Sequence, residues 1–437
     1  GGRLKGCEDV FDTWMDSSIS PAYIAFWKRD DEKFKRYFPT GLRPQAHDII
    51  RTWAYYSLLR CHLLFGQRPW NDIMIDGFIL SPDGTPMHAS LGNVIDPLET
   101  LEEYGADVMR YLSALCALGQ DNNFRPQDLV RGRRFVEKFW NVQQFISRVV
   151  PRKRASLLEE RPANLLDRWI LHRLGRVVES VRRCYDTFDF APALRDIQFF
   201  VWHEFADHYL ELVKARAYSG RDADVYRTLT TVGLAITKLL APILPHVTEE
   251  VYQNLYRDVD GAKSVHLSAF PAAPDEDPEA DRIGELAKEV TSAIRRWKSG
   301  RGLALNSPLK SVQVITREDG LASVAEDMRS TVSAEEFSVV REDPTLQERA
   351  VSVSPVYSKI GPRFRERSRE IVQLLSRADP GEVAAALKAG GWTAGLSDGT
   401  RVTLTADEVQ VQTGWTSHGQ AVEIVHADGA TVVITPS

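Results

Sequence analysis

The sequence predicts an α/β half-domain of Rossmann type followed by an all-α helical bundle and a small α+β carboxyl-terminal domain. Three observations carry that prediction. Ile73, Met74, Ile75, Phe78, Ile79 and Leu80 make a nearly continuous apolar run before Pro82, Asp83 and Gly84, the pattern of a parallel strand covered on both faces and closed by a tight turn. From Leu129 to Ala269 the apolar spacing is helical throughout, clearest where Ile197, Val201, Phe205, Tyr209 and Leu212 share one stripe. From Gly390 onwards, Val402, Leu404, Val409, Val411, Val422, Ile424, Val432 and Ile434 alternate as short strands between turns.

Composition bounds the reading. The chain has 437 residues and 43% hydrophobic content, enough for two or three domains with real cores. No apolar run reaches membrane-spanning length and no leader or transit pattern is present, so a cytoplasmic protein with no membrane partner is expected. Cys7, Cys61, Cys116 and Cys184 stand far apart with no CxxC pair, which suggests neither a disulfide framework nor a zinc site. Glycine at position 1 points to the carboxyl-terminal portion of a longer chain. The net charge of −6 conceals arginine clusters, among them Arg131, Arg133 and Arg134, and Arg363, Arg365, Arg367 and Arg369. Such clusters are most often solvated helix faces; the alternative is phosphate contact along a polyanion.

In order along the chain, Asp12, Trp14, Asp16, Ser17 and Ser18 place polar groups around one aromatic residue ahead of Pro21. Gln45, His47 and Asp48 precede a helix expected over about 49–64, with Asp48 placed to cap it. In an open α/β sheet the segment after a strand's carboxyl end faces the ligand crevice, which puts the loop Thr85 to Asn93 there. Asp96 as N-cap and Pro97 start a helix that Gly105 ends, and a further helix is expected from Asp107 to Leu118. The half-domain therefore occupies residues 1–126 and the bundle 127–270.

Within the bundle, Glu204, Asp207, Glu211 and Lys214 are expected on a polar stripe. His203 and His208 are five apart where a helical zinc pair needs four, so no metal is expected. Thr248 with Glu249 and Glu250 is expected to restart a helix after Pro242 and Pro245. The stretch PAAPDEDPEAD, 271–281, reads as an acidic linker, and residues 282–437 as the carboxyl-terminal α+β region. That region opens with an amphipathic helix bearing Ile283, Leu286, Val290, Ile294 and Trp297, then a strand from Ser311 to Thr316 and an Arg-rich helix near 362–375.

The ordered segments DTWMDSSISP, RPQAHDIIRTWAYYSLL, DGTPMHASLGNVIDP, EEYGADVMR, FADHYLELVKARAY, LAPILPHVTEEVY and SVHLSAFP carry a resemblance. Over about residues 8–310 the chain resembles the class I aminoacyl-tRNA synthetases that charge branched aliphatic amino acids, most closely the archaeal valyl type. The resemblance implies ATP and Mg²⁺ as substrates, valine and tRNA-Val as partners, an amino-terminal half as a further partner, and a monomer when complete. It implies Trp14 and Trp53 as walls of the aliphatic pocket, and His47 and Asp48 as contacts to ATP, with Ala46 where the family has glycine. For the bundle it implies anticodon-stem recognition, with Arg133, Arg134, Arg195, Glu204, Asp207 and Lys214 as candidate tRNA contacts.

The chain departs from the family in two places. The family's Lys-Met-Ser-Lys-Ser loop falls on Pro86, Met87, His88, Ala89 and Ser90, so both lysines are missing and only Met87 and Ser90 remain as ATP contacts. Loss of such electrostatic contacts costs roughly 10² to 10³ in rate at comparable sites. No His-x-Gly-His occurs in the sequence. Two readings stand open: part of a valine-tRNA ligase that makes no adenylate alone, or a synthetase-like tRNA- or partner-binding protein without ATP chemistry. An isoleucyl-type enzyme is a further alternative.

Overall fold

The computed structural model describes residues 5–152, 155–157, 159–418 and 420–436. The chain divides into two compact units, one of residues 1–160, 171–207 and 223–276, the other of 161–170, 208–222 and 277–437.

The first unit begins with short helices α1 (Thr13–Ser17), α2 (Ser20–Ile24) and α3 (Asp31–Tyr37). Asp12 and Asp30 cap α1 and α3 through their carboxylates, and α3 carries Asp31 and Glu32 in its first turn and Lys35 and Arg36 in its last, matching the helix dipole. Strand β1 (Thr40–Ala46) then pairs in parallel with β2 (Trp70–Asp76), joined by a short 3₁₀ turn, a π-helical turn Ile50–Ala54 and α4 (Tyr55–Phe65), which Gly66 ends in the left-handed region. No strand was expected at β1, where Pro44 and the charged flanks hide the alternation. Asp48 sits inside the 3₁₀ turn, whose N-cap is Ala46 with no side-chain hydrogen bond, so Asp48 caps nothing.

The expected apolar strand is interrupted. Gly77 and Phe78 separate β2 from β3 (Ile79–Leu80), and Ile73, Phe78 and Ile79 are exposed at 38%, 38% and 42%. An apolar run records capacity for burial, whereas burial needs neighbours on both faces; among the described residues β1 is the only strand beside β2. Helices α5 (Pro97–Tyr104) and α6 (Ala106–Ala114) follow, with Asp96 and Gly105 as the expected boundaries. Strand β4 (Asn122–Asn123) pairs in parallel with β3.

The bundle runs through α7 (Pro126–Val149), α8 (Leu165–Asp186), α9 (Phe190–Phe199), a π-helical stretch Phe200–Tyr209, α10 (Leu210–Tyr218), α11 (Ala223–Leu240), α12 (Pro245–Val251) and α13 (Arg257–Asp260). The predicted stripe of Ile197, Val201, Phe205, Tyr209 and Leu212 is buried. Gln143 ties three elements together: it donates to Gly233 O at 3.2 Å and accepts from the Tyr256 hydroxyl at 2.5 Å. Thr248 does not restart a helix. Pro245 takes the first turn of α12, the Asp107 carboxylate accepts from the His246 and Val247 amides, and Thr248 donates inside the helix to Leu244 O. No described helix is long and apolar enough to cross a membrane.

The stretch expected as a linker is helical from Pro278, where α14 (Pro278–Gly300) starts. Asp277 caps that helix, is only 6% exposed, and pairs with Arg161 and Arg168, so its charge is an anchor rather than linker solvation. In the same unit Lys298 is fully buried and donates to Leu305 O, Ser307 O and Val332 O, pinning the turn after α14.

The remaining elements are β5 (Leu309–Ile315), α15 (Ala325–Val332), β6 (Ala334–Val340), β7 (Gln347–Pro355), α16 (Tyr357–Phe364), α17 (Ser368–Arg377), α18 (Pro380–Lys388), β8 (Trp392–Gly395), β9 (Arg401–Leu404), β10 (Val409–Ser417), β11 (Gln420–Ala427) and β12 (Ala430–Pro436). Six of the strands form one sheet in the order β6-β5-β12-β11-β10-β7, in which only the β5–β6 pair is parallel. Helices α16 to α18 bury Ile360, Ile371, Leu375, Val383 and Leu387 with Leu404 and Val409. Strands β6 and β7 were not expected, because Glu335, Glu336, Glu348 and Arg349 break their apolar signal.

Candidate active site and nucleic-acid surface

The parallel pair β1–β2 places His47 and Asp48 just beyond one strand end and Gly77 and Phe78 just beyond the other, the position where open α/β sheets take ligands. His47 Nε2 lies 2.9 Å from Asp121 Oδ1, and its ring meets Phe78 edge-on at 5.0 Å. The same Asp121 oxygen accepts from the Phe78 amide at 2.8 Å; that bond first, and His47 second, hold the Asp121 carboxyl below the usual range. Asp48 is exposed beside them. Ala46 has extended backbone (φ −78°, ψ 162°), a conformation that alanine adopts freely, so no glycine is required there.

Gly77 is required. A Cβ at this position would lie 1.9 Å from Gln120 O, because residues 119–124 run tightly along β2 and β3 through bonds from Gly119 to Ile75 O and from Asn122 to Phe78 O. Beside this crossing a cavity of about 410 Å³ is lined by Asp76, Gly77, Arg110, Cys116 and Phe190, among others. Burial pushes the Asp76 carboxyl and the Cys116 thiol upward.

The loop after β3 is held by polar side chains from within. The Ser81 hydroxyl has the Asp83 carboxylate and Thr85 O as alternative acceptors for its one hydrogen, and Asp83 accepts from the Thr85 amide and hydroxyl. Asn93 closes the loop, donating to Pro86 O at 3.0 Å and Thr85 Oγ1 at 3.1 Å while accepting from the His88 amide at 2.9 Å. His88, Ala89 and Ser90 are exposed, Met87 is half-buried, and Gly92 turns the chain at φ +65°. The donors this loop can offer a phosphate are backbone amides, Ser90 and the His88 imidazole; it carries no ammonium group.

Trp14 is half-buried in α1. Trp53 donates its indole N–H to Ser17 O at 3.0 Å and to Ser20 Oγ at 3.2 Å, and the Arg43 guanidinium lies over its ring at 3.3 Å. Trp53 is thus fastened to the α1–α2 segment with one face covered. An apolar cavity of about 550 Å³ beside it is lined by Met15, Ile19, Trp27, Tyr56, Leu59 and Leu63, and by neither predicted tryptophan.

On the bundle the six candidates separate. Arg133 donates to Glu103 O at 2.7 Å and stacks on Tyr104, so it also fastens α5. Arg134 and Arg195 are exposed. Asp207 pairs with Lys138 at 3.0 Å, and Lys214 with Glu211 at 3.2 Å. Glu204 is not on the polar surface: it is 3% exposed and paired with Arg173. Glu204 lies three residues past Val201 and seven past Ile197, beside the buried stripe, so its side chain turns inward, where Arg173 neutralises it.

That pairing sits in a polar cavity of about 390 Å³ lined by Arg173, Arg176, Ser180, Arg183, Asp196 and Phe199. Arg176 and Arg183 are exposed and Phe199 is 55% exposed. The spacing 173, 176, 180, 183 along one helix face was readable in the sequence, but the aromatic partner from α9 was not.

Comparison with known proteins agrees with this architecture. Residues 1–125 match the family model "tRNA synthetases class I (I, L, M and V)", and residues 167–314 match "Anticodon-binding domain of tRNA ligase". A valine–tRNA ligase of Thermococcus kodakarensis is 38% identical over 452 residues, 99% of this chain and 50% of the relative. One of Methanothermobacter thermautotrophicus is 40% identical over 98% of this chain and 48% of the relative. The chain therefore spans about half the length of the curated relatives it matches. The AgnB2 LeuRS of Agrobacterium radiobacter K84, solved as a ternary LeuRS-tRNA-LeuAMS complex, shares the fold with a TM-score of 0.50 at 20% identity, covering 60% of this chain and 33% of its own. On the two family models and these relatives, the chain belongs to the class I aminoacyl-tRNA synthetases.

Proposed function

We propose that this chain is part of a valine-tRNA ligase, an enzyme that in its complete form activates valine with ATP and Mg²⁺ and transfers it to tRNA-Val in the cytoplasm. The observation that carries the reading is the similarity to valine–tRNA ligases across 98–99% of the chain at 36–40% identity. The strand ends at Ala46 and Asp76 supply a crevice in which His47, Asp48, Met87 and Ser90 meet ATP, while Trp14 and Trp53 bound the amino-acid side chain. The complete enzyme acts as a monomer. No tightly bound cofactor or zinc belongs to this reading.

For tRNA, the arginine-lined cavity is the best-formed surface. Arg176 and Arg183 hold phosphates, and the exposed Phe199 ring offers a stacking face to an unpaired base. Arg133, Arg134 and Arg195 are further cationic contacts in the same unit, Lys214 is a separate one in the second unit, and Asp207 accepts from a base edge. Glu204 acts through Arg173, by fixing its guanidinium.

The loop at 86–90 limits the chemistry. The missing lysines slow the chemistry by roughly 10² to 10³, and these 437 residues, which contain no His-x-Gly-His, bind tRNA but make no valyl-adenylate on their own. Valine-dependent pyrophosphate exchange by the full-length gene product, with tRNA-Val binding measured in parallel, tests the reading. Exchange with valine in preference to isoleucine supports it. No exchange together with firm tRNA binding replaces it by the tRNA-binding reading that the missing lysines favour.

A further inference from the structure

Arg43 projects from β1 and is 9% exposed, with its guanidinium 3.3 Å from the Trp53 ring centre and 5.3 Å from that of Trp70. Its Nε and Nη2 are enclosed and have no hydrogen-bond partner. Gln45 Oε1, two residues along the same face of β1, has none either, and the Ser57 hydroxyl, four residues beyond Trp53, is equally unpartnered. Gln45 is 5% exposed and Ser57 0%. Residues two apart share a strand face and residues four apart a helix face. Arg43 and Gln45 therefore share a face of β1, and Ser57 follows about one turn after the Trp53 on which Arg43 stacks.

Native interiors rarely leave buried polar side chains unpaired. Stacking on tryptophan attracts the cation but supplies no acceptor for its N–H groups. The guanidinium stays charged when buried. Burial draws the Arg43 pKa downward, the direction of a cation without a counter-charge. Nε and Nη2 form the side edge of the guanidinium, the edge that takes a carboxylate through two parallel hydrogen bonds.

We propose that this edge of Arg43, with the Gln45 amide oxygen and the Ser57 hydroxyl beside it, is a binding site for a carboxylate. Two sources offer that chemistry. A free amino acid would also bring an ammonium group to Gln45 Oε1. An Asp or Glu side chain would arrive on a polypeptide segment that packs against β1, which among the described residues is hydrogen-bonded only to β2. The inference does not depend on the ligase reading.

The test is thermal unfolding of the chain in sodium acetate against sodium chloride at matched ionic strength, followed by valine in place of acetate. Acetate is expected to raise Tm saturably by a few degrees above chloride. Arg43→Met, which fills the space without charge, is expected to lose that rise and to melt higher than the parent in chloride, because an uncompensated buried cation has been removed. Arg43→Lys keeps the charge without the paired edge and is expected to lose most of the rise, so the test survives if the methionine variant does not fold. A response to valine at lower concentration than to acetate identifies the free amino acid as the source; equal responses identify a side-chain carboxylate. Acetate no better than chloride, with both variants melting below the parent, overturns the proposal.

Discussion

His47 and Asp121 stand 74 residues apart in the sequence and meet at 2.9 Å beyond the ends of two parallel strands. The contact joins the first strand of the half-domain to the loop that crosses the second, and Asp121 also fixes the Phe78 amide. Asp121 therefore sets the His47 ring where the resemblance expects ATP. Asp121→Asn preserves shape but removes the charge that holds the imidazole. In the full-length enzyme it is expected to weaken ATP binding by roughly tenfold, as for loss of one charge-assisted hydrogen bond, with stability changed by less than about 0.5 kcal/mol at this exposed position. Calorimetric titration of ATP checks the first figure and a urea melt the second.

Gly77→Ala is expected to do the reverse, striking the fold before the site. The new methyl would meet the Gln120 carbonyl at 1.9 Å, backbone against backbone, with no flexible side chain to yield. The cost is expected to be at least about 1–3 kcal/mol, the range for overpacking. A lower urea midpoint at unchanged slope checks it. An unchanged midpoint would mean that residues 119–121 can move away from β2.

What was legible in the sequence follows physical lines. Repeated local signals came through: the Asp96–Pro97 start and Gly105 stop, the buried stripe through Phe205, and the alternating strands from Val402 to Ile434. Signals that need a distant partner did not. Asp121 looks like any loop acid until His47 reaches it, and Asp107 until the amides of His246 and Val247 arrive. Glu204 reads as a surface acid by residue type, although it lies beside the apolar stripe, because the Arg173 partner that neutralises it comes from another helix. Strand β1 was hidden by Pro44, which a strand edge tolerates.

Restoring lysine to the loop tests its chemistry. Ala89 is exposed, and the Asn93 clamp uses the backbone of Pro86 and His88 rather than the Ala89 side chain. Ala89→Lys is therefore expected to leave stability within about 0.5 kcal/mol and to raise valine-dependent pyrophosphate exchange of the full-length enzyme by roughly 10²-fold. An unchanged rate would show that this loop does not approach the phosphates.

The arginines of the polar cavity are expected to divide by burial. Arg176→Ala and Arg183→Ala remove exposed cations, so each should reduce the salt slope of tRNA binding by about one with little change in stability. Arg173→Ala strands the Glu204 carboxylate, which is 3% exposed, and is expected to cost about 3–5 kcal/mol of stability. Filter binding across a salt series and denaturant melts of the three variants separate these roles.

Two acids of the second unit are expected to titrate with opposite sign. Burial raises the Asp277 carboxyl, but hydrogen bonds from Arg168, the Ala280 amide and Arg161 outweigh it and hold the group well below 3.8. Its stabilising contribution is therefore present above pH 3.8 and is lost as pH falls through the lower folded value. Asp327 goes the other way: burial pushes it up to about 6, against the pull of Arg216 and of the Asn164 amide, which donates to it at 3.0 Å. Its contribution is fully present below pH 3.8 and is lost as pH rises through about 6. The neighbouring Asp167, fully buried against Arg216, is shifted in the same direction. Asp327→Asn is therefore expected to flatten the decline in stability between about pH 4 and 6, by roughly 3 kcal/mol at most, and to be at least as stable as the parent at pH 7.5. Asp277→Asn is expected to lose about 1–3 kcal/mol at pH 7.5 through its lost charge-assisted hydrogen bonds, Arg168 keeping Glu279 as a partner, with that penalty shrinking toward pH 3. Urea melts of both variants at half-unit pH intervals check the signs. A large loss for Asp327→Asn at pH 7.5 would show that its 3.7 Å approach to Arg216 outweighs the cost of its burial.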